Sequence, residues 1–135
     1  CGAHFRVVPL QGAELVIPEE YIYAPSPSSW INAVHRADSV VTNSYHGALF
    51  AVIMRKPFLV FLQRGAKSSE NCRFTSALMR LGLADRIIAP EVWMKSKPET
   101  INELMSRTVD WESVAQKLAH WRAISASFLE NALET

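Results

Sequence analysis

The stretch that decides the fold is SVVTNSYHGALFAVIMRKPFLVFL, residues 39–62. It predicts a strand at 39–42, a buried helix that includes 48–54, and a second strand at 58–62. Lys56-Pro57 ends the helix, because proline cannot continue it. The second strand shows no alternation of apolar and polar residues, which is typical of a parallel strand covered on both faces. We therefore predict a right-handed βαβ unit.

The turn between the first strand and the helix carries a cluster of polar residues. In open α/β sheets, ligands bind outside the carboxyl ends of the strands, and this turn lies at that position. The backbone N–H groups of a first helical turn have no partner within the helix and form a natural anion site. Ser44 can cap the helix or bind a phosphate oxygen, and Gly47 lets the backbone approach a ligand. Without other information, a histidine in a strand-to-helix turn, such as His46, is more often structural than catalytic.

The same residues resemble a known family. A strand ending in V-T-x-S-[FY]-H-G, followed by A-x-F-A-x-I and K-P-F, is similar to the polysaccharide pyruvyl transferases. Further matches are Ser28-Ser29-Trp30-Ile31, Ala37-Asp38, Asn71, Arg73, Leu78, Leu81-Gly82-Leu83 and Asp85-Arg86. The resemblance covers residues 26–88, and residues 1–25 and 89–135 carry none. The family's catalytic body is similar to the two-lobed glycosyltransferase-B arrangement, and its His-Gly turn belongs to the C-terminal lobe.

The resemblance implies transfer of a pyruvyl ketal from phosphoenolpyruvate to a sugar of a cell-surface polysaccharide. His46 is then the catalytic proton donor, because imidazole changes its charge near neutral pH. The expected substrate-binding residues are Ser44, Tyr45, Gly47, Arg64 and Arg73. Arg73 matches the family's N-x-R position, whereas Arg64 and Lys67 are candidates only because their loop follows the second strand. We expect no cofactor besides the donor substrate, and no metal, since the four histidines lie far apart.

Length and composition predict a single domain over residues 1–135, with 49% hydrophobic residues to fill its core. We expect a Rossmann-like three-layer α/β fold with a mostly parallel sheet of four or five strands and a long C-terminal helix. The chain begins with Cys1 rather than Met, and the resemblance favours the C-terminal lobe of a longer two-lobed enzyme. Its partners are then the N-terminal lobe, a small-molecule donor and a glycan acceptor. The isolated lobe is expected to be inactive.

Charge, cysteines and hydropathy exclude some other classes. The 14 basic and 13 acidic residues create no extended field, so nucleic-acid binding has no support. No apolar run reaches 18 residues, so no transmembrane segment is predicted. Cys1 and Cys72 are most simply reduced thiols of a cytoplasmic protein. Two alternatives stay open, namely the nucleotide-sugar-binding lobe of a glycosyltransferase and a non-catalytic binding domain.

The rest of the chain predicts further elements around the central unit. We expect strands at 5–10 and 87–88, an edge piece at 14–18, and helices that begin at Ser26-Pro27, at Asn71, near Glu99 and at Asp110. Asn71 is expected to cap its helix, Asp85 and Arg86 to form a structural pair, and His35 to face solvent. The last helix carries a long apolar stripe. That stripe either packs on this domain's own core or crosses in part to another lobe.

Overall fold

The computed structural model describes residues 26–64 and 71–133 of the chain. Within these ranges the order of elements is α1 (Pro27–Arg36), β1 (Val40–Thr42), α2 (Tyr45–Ile53), β2 (Phe58–Phe61), α3 (Asn71–Leu81), a 3-10 helix (Ala84–Arg86), β3 (Ile87–Ile88), α4 (Pro90–Trp93), α5 (Pro98–Ser106) and α6 (Trp111–Leu133). The short helix α4 was not predicted. The predicted strand at 5–10 and edge piece at 14–18 lie outside the described residues.

The strands form one small open sheet in the order β1-β2-β3. Both strand pairs are parallel, with Val40 opposite Phe58 and Val60 opposite Ile87. The βαβ unit predicted from residues 39–62 is therefore confirmed. The described residues hold three strands, so the four or five strands that we expected are not shown.

Helices cover both faces of the central strand β2. Phe58 and Val60 lie in the main core with residues of α2 and α3, and both are completely buried. Leu59 points to the opposite face, because side chains alternate along a strand, and it is also 0% exposed. On that face the ring of Phe61 contacts Trp93 of α4 at 5.7 Å between centroids, and α5 also packs on β2.

Helix α2 reaches the sheet closely because its buried side chains are small. Ala48, Ala51 and Val52 face the core, and each is at most 3% exposed. Ser26 caps the preceding helix α1 through its side chain, with Pro27 at the first helical position, as predicted. Trp30 of α1 then meets Phe50 of α2 edge to face, with ring centroids 5.1 Å apart. These contacts hold α2 between the sheet and α1.

Arg86 forms the structural pair with Asp85 that the sequence predicted, and it is also buried. Its guanidinium is 0% exposed and donates hydrogen bonds to the carbonyls of Leu104, Arg107 and Thr108. Its Nε lies 3.2 Å from Oδ2 of Asp85, as an ion pair without hydrogen-bond alignment. Arg86 therefore ties the end of α5 to the sheet.

The long helix α6 begins as predicted, and its two halves differ in burial. Asp110 caps it, accepting the Ser113 N–H at 3.0 Å, and Val114 is buried in the main core. Beyond Trp121 the described side chains are exposed, and Phe128 reaches 70% exposure. The first half of the stripe thus packs on this domain, and the described side chains of the second half stay exposed. None of the helices described is both long enough and apolar enough to cross a membrane.

Candidate active site

The turn from β1 into α2 is built by three short-range hydrogen bonds. The Ser44 N–H donates to the Thr42 hydroxyl at 3.0 Å, which folds the chain back after the strand. The Ser44 hydroxyl then accepts the Gly47 N–H at 3.4 Å, and the Ser44 carbonyl accepts the Ala48 N–H at 3.0 Å. Ser44 is therefore the N-cap of α2, with an extended backbone at φ −101° and ψ 131°.

Two backbone donors of this first turn have no partner among residues 26–64 and 71–133. The N–H groups of Tyr45 and His46 make no hydrogen bond to any other described residue. The His46 side chain is exposed beside them. Open N–H groups at a helix N-terminus attract anions, because the helix dipole adds to their partial positive charge.

The Tyr45 ring joins the turn to the start of α3. The Arg73 guanidinium lies over this ring, with its central carbon 4.7 Å from the centroid. His46 contacts the same ring at 5.8 Å between centroids, and Phe74 contacts it at 6.1 Å. The structure therefore brings Arg73 beside a turn that lies almost thirty residues earlier in the chain. Because the Arg73 side chain is exposed, its N–H donors can still reach a ligand.

Arg64 has a different neighbour. Its Nη1 lies 2.8 Å from the sulfur of Met94, just after α4. A thioether is a weak acceptor, so an anionic ligand can compete for this guanidinium. Within the described residues Arg64 makes no recorded contact with the Tyr45–Arg73 group, and its role as a substrate clamp stays a prediction. Lys67 lies outside the described residues.

Gly47 serves the packing of α2 against β1. The residue is buried, and a Cβ placed on it would overlap the Thr42 hydroxyl and lie 3.2 Å from the Thr42 Cβ. Its missing side chain is thus used by the protein itself. The backbone approach to a ligand, which we expected from the sequence, stays a prediction.

Sequence reasoning missed Gln63 and assigned Asn71 a different role. Asn71 Oδ1 accepts the Gln63 N–H at 2.9 Å, and Asn71 Nδ2 donates to the Gln63 carbonyl at 2.9 Å. Asn71 therefore binds a backbone unit at the end of β2 with both ends of its amide, where we expected a helix cap. The Gln63 side chain donates in turn to the Asn43 carbonyl at 3.1 Å. In the sequence, the only signals for this role of Gln63 were its residue type and its position after β2.

The described residues contain no group of three histidine, cysteine or carboxylate side chains that could hold a metal ion. The remaining polar groups around the turn are hydroxyl, imidazole, guanidinium and amide. Such groups can bind a phosphate or carboxylate and can move one proton.

Fold and site together define an α/β domain in which an open parallel sheet carries a histidine, a serine cap and an arginine near its carboxyl edge. Residues 5–63 match the family model described as polysaccharide pyruvyl transferase, which confirms the family resemblance over that part of the chain. The match begins earlier than the resemblance that we described, which started at residue 26. It ends before residues 71–88, so the role of Arg73 is not covered by it. No curated protein and no solved structure matches the chain.

Proposed function

We propose that the chain is the C-terminal lobe of a polysaccharide pyruvyl transferase that uses phosphoenolpyruvate as donor and a cell-surface polysaccharide as acceptor. The observation that carries this proposal is the placement of His46 and Arg73 on one aromatic ring, at the open N-terminus of α2. The family match supports the class of reaction. The donor and the acceptor are part of the proposal.

The reaction needs one proton donor and a site for two anionic groups. The methylene carbon of phosphoenolpyruvate takes up a proton and becomes a methyl group. The neighbouring carbon forms bonds to two hydroxyl oxygens of the sugar, and its bond to the phosphate oxygen breaks. The two hydroxyl protons balance the proton taken up by the methylene carbon and the one that leaves with phosphate. The carboxylate of the donor is retained in the ketal.

The side chains at the turn fit these requirements. We assign proton delivery to His46, whose exposed imidazole can reach a bound ligand and be protonated again by solvent. Arg73 holds the carboxylate or the phosphate of the donor, because guanidinium binds either group with two parallel hydrogen bonds. The open N–H groups of Tyr45 and His46 contribute further donors, and Ser44 and Gly47 shape the turn. Arg64 is a second candidate clamp.

One lobe supplies only part of such a site. In a two-lobed transferase, donor and acceptor are held across a cleft, and catalysis depends on holding both reactants in the right geometry. We therefore expect no pyruvyl transfer by the 135-residue chain alone. Weak binding of phosphoenolpyruvate should remain, because each helix-terminus or charged hydrogen-bond interaction contributes about 0.3 to 3 kcal/mol before salt screening.

The decisive test is His46→Ala in the two-lobed protein, with His35→Ala as the matched control. His35 is also exposed, but it lies on α1. We expect His46→Ala to abolish phosphate release from phosphoenolpyruvate in the presence of acceptor, while donor binding changes by less than about tenfold, because a proton donor acts mainly in the transition state. Near-normal turnover of His46→Ala would show that another group is the acid.

Arg73→Ala should instead weaken donor binding, with Arg122→Ala on α6 as its control. Titration calorimetry of the chain with phosphoenolpyruvate and with nucleotide sugars measures this effect and tests the donor class. Preference for a nucleotide sugar would favour a glycosyltransferase lobe. Binding of neither donor would favour a non-catalytic domain.

A further inference from the structure

Three segments meet at the candidate site, and Gln63 contacts both of the other two through its side chain and its backbone. The segments are the turn after β1, the end of β2 and the start of α3. Gln63 stands at the end of β2, where the Leu62 N–H still donates to the Ile88 carbonyl at 3.0 Å. Its backbone pairs with Asn71 at the start of α3, and its side chain reaches Asn43 in the turn.

The Asn71–Gln63 hydrogen bonds and the Gln63–Asn43 hydrogen bond hold different parts of the site. The Asn71 side-chain amide forms two hydrogen bonds of 2.9 Å, one with the N–H and one with the carbonyl of Gln63. Two opposed residues of antiparallel strands exchange hydrogen bonds in the same way. The pair therefore fixes both the distance and the relative orientation of Gln63 and Asn71. The Gln63 amide forms one bond of 3.1 Å to the backbone carbonyl of Asn43. That carbonyl immediately precedes Ser44, the cap of α2.

These bonds complete a ring of contacts around the site. On one side the ring runs from the turn through Gln63 and Asn71 into α3. On the other side Arg73 of α3 returns to the turn by lying over Tyr45, 4.7 Å from the ring centroid. A shift of the turn relative to α3 is therefore opposed by the Gln63 and Asn71 hydrogen bonds and by the Arg73–Tyr45 contact.

We propose that Gln63 is a positioning residue of the candidate site, which holds the His46 turn in register with the Arg73 end of α3. Its side chain acts on His46 through the Asn43 backbone, and its own backbone is linked to the Arg73 end of α3 through Asn71. The effect on turnover rests on the function proposed above, whereas the effect on the turn does not.

The first test is amide hydrogen exchange of the 135-residue chain, followed by NMR, in Gln63→Ala and in the control Gln116→Ala on α6. The reporting amides are those of Ser44, Gly47 and Ala48, which are hydrogen-bonded within the turn. We expect Gln63→Ala to speed their exchange about two- to tenfold, which is the effect of losing one hydrogen bond. The amide of Val60 in the buried strand should stay within twofold of its original rate.

A purely structural role gives a different pattern. The positioning role is overturned if Gln63→Ala speeds amide exchange in the turn and at Val60 by the same factor. It is also overturned if the exchange rates of the turn amides stay within twofold of their original values. Gln63→Glu separates donor loss from loss of bulk, because an ionised carboxylate cannot donate to the Asn43 carbonyl. It should speed exchange of the turn at least as much as Gln63→Ala.

The second test is turnover in the two-lobed protein. Gln63→Ala and Gln63→Glu should each lower kcat/KM for phosphoenolpyruvate about tenfold, and Gln116→Ala should leave it unchanged. If the unmodified protein releases no phosphate from phosphoenolpyruvate, the proposed function fails, while the exchange pattern still decides the positioning role. Normal kcat/KM in both Gln63 variants of an active enzyme would show that the bond to Asn43 does not position the site.

Discussion

Replacing Gly47 with alanine tests how closely α2 must approach β1. Gly47 is buried in the first turn of α2, in helical backbone that any residue can adopt. A Cβ at this position would overlap the Thr42 hydroxyl and lie 3.2 Å from the Thr42 Cβ and 3.4 Å from its Cγ2. The change is therefore limited by space and not by backbone conformation.

The size of the effect follows from three contributions. Inserting a methyl group into a packed site costs about 1 to 3 kcal/mol. Moving the Thr42 hydroxyl aside also breaks its bond to the Ser44 N–H, which costs about 0.5 to 1.5 kcal/mol. Alanine recovers up to about 1 kcal/mol, because it favours the helix more than glycine does. Together these contributions predict that the Gly47→Ala chain is less stable by about 0.5 to 4.5 kcal/mol.

A double-mutant cycle with Thr42→Ala shows whether Thr42 is the cause. With the hydroxyl and the Cγ2 removed, most of the overlap disappears, and Gly47→Ala should cost at least about 1 kcal/mol less than in the original background. The assay is urea denaturation followed by circular dichroism, in all four combinations. Equal costs of Gly47→Ala in the two backgrounds, within about 0.5 kcal/mol, would refute the packing explanation for this glycine.

Two further predictions use the same denaturation assay. Arg86→Ala should destabilise the chain by about 3 to 5 kcal/mol, because it removes a completely buried side chain and its hydrogen bonds to three carbonyls. Asp85→Ala should cost less than about 1 kcal/mol, because the Asp85 side chain is 46% exposed. Similar costs for both changes would contradict the central role of Arg86. In α6, Val114→Ala should cost about 1.5 kcal/mol or more, since it removes two buried methyl groups, and Phe128→Ala less than about 0.5 kcal/mol, since Phe128 is 70% exposed. A large cost at Phe128 would show that the second half of α6 is covered in the isolated chain.

The central βαβ unit could be predicted because its signals are local. A short β-branched strand, a serine cap and a proline stop all act within a few residues of one another. The same is true of Ser26 and Asp110, which cap their helices as expected. Gly82 follows the last residue of α3 with φ at +78°, a backbone region that favours glycine and a common local signal for the end of a helix.

The long-range polar contacts of the candidate site could not be predicted in this way. Gln63 reaches Asn43 across twenty residues and pairs with Asn71 across eight, and neither separation produces a periodic pattern. Arg73 was singled out by the family resemblance, but its contact with the Tyr45 ring depends on how α3 packs beside α2. Side-chain amides and guanidinium groups have several partners available, so only the folded arrangement of backbone segments selects one.

Helix α6 shows why an apolar period predicts a buried face without predicting its extent. The stripe continues from Val114 to Phe128, but α6 has 23 residues and α3, against which it packs, has 11. At about 1.5 Å per residue these helices are about 34 Å and 16 Å long, so about half of α6 extends past its neighbour. Burial accordingly falls from Val114, at 4% exposed, to Phe128, at 70%. The length of the neighbouring helix, rather than the period of the stripe, decides which apolar residues of α6 enter this core.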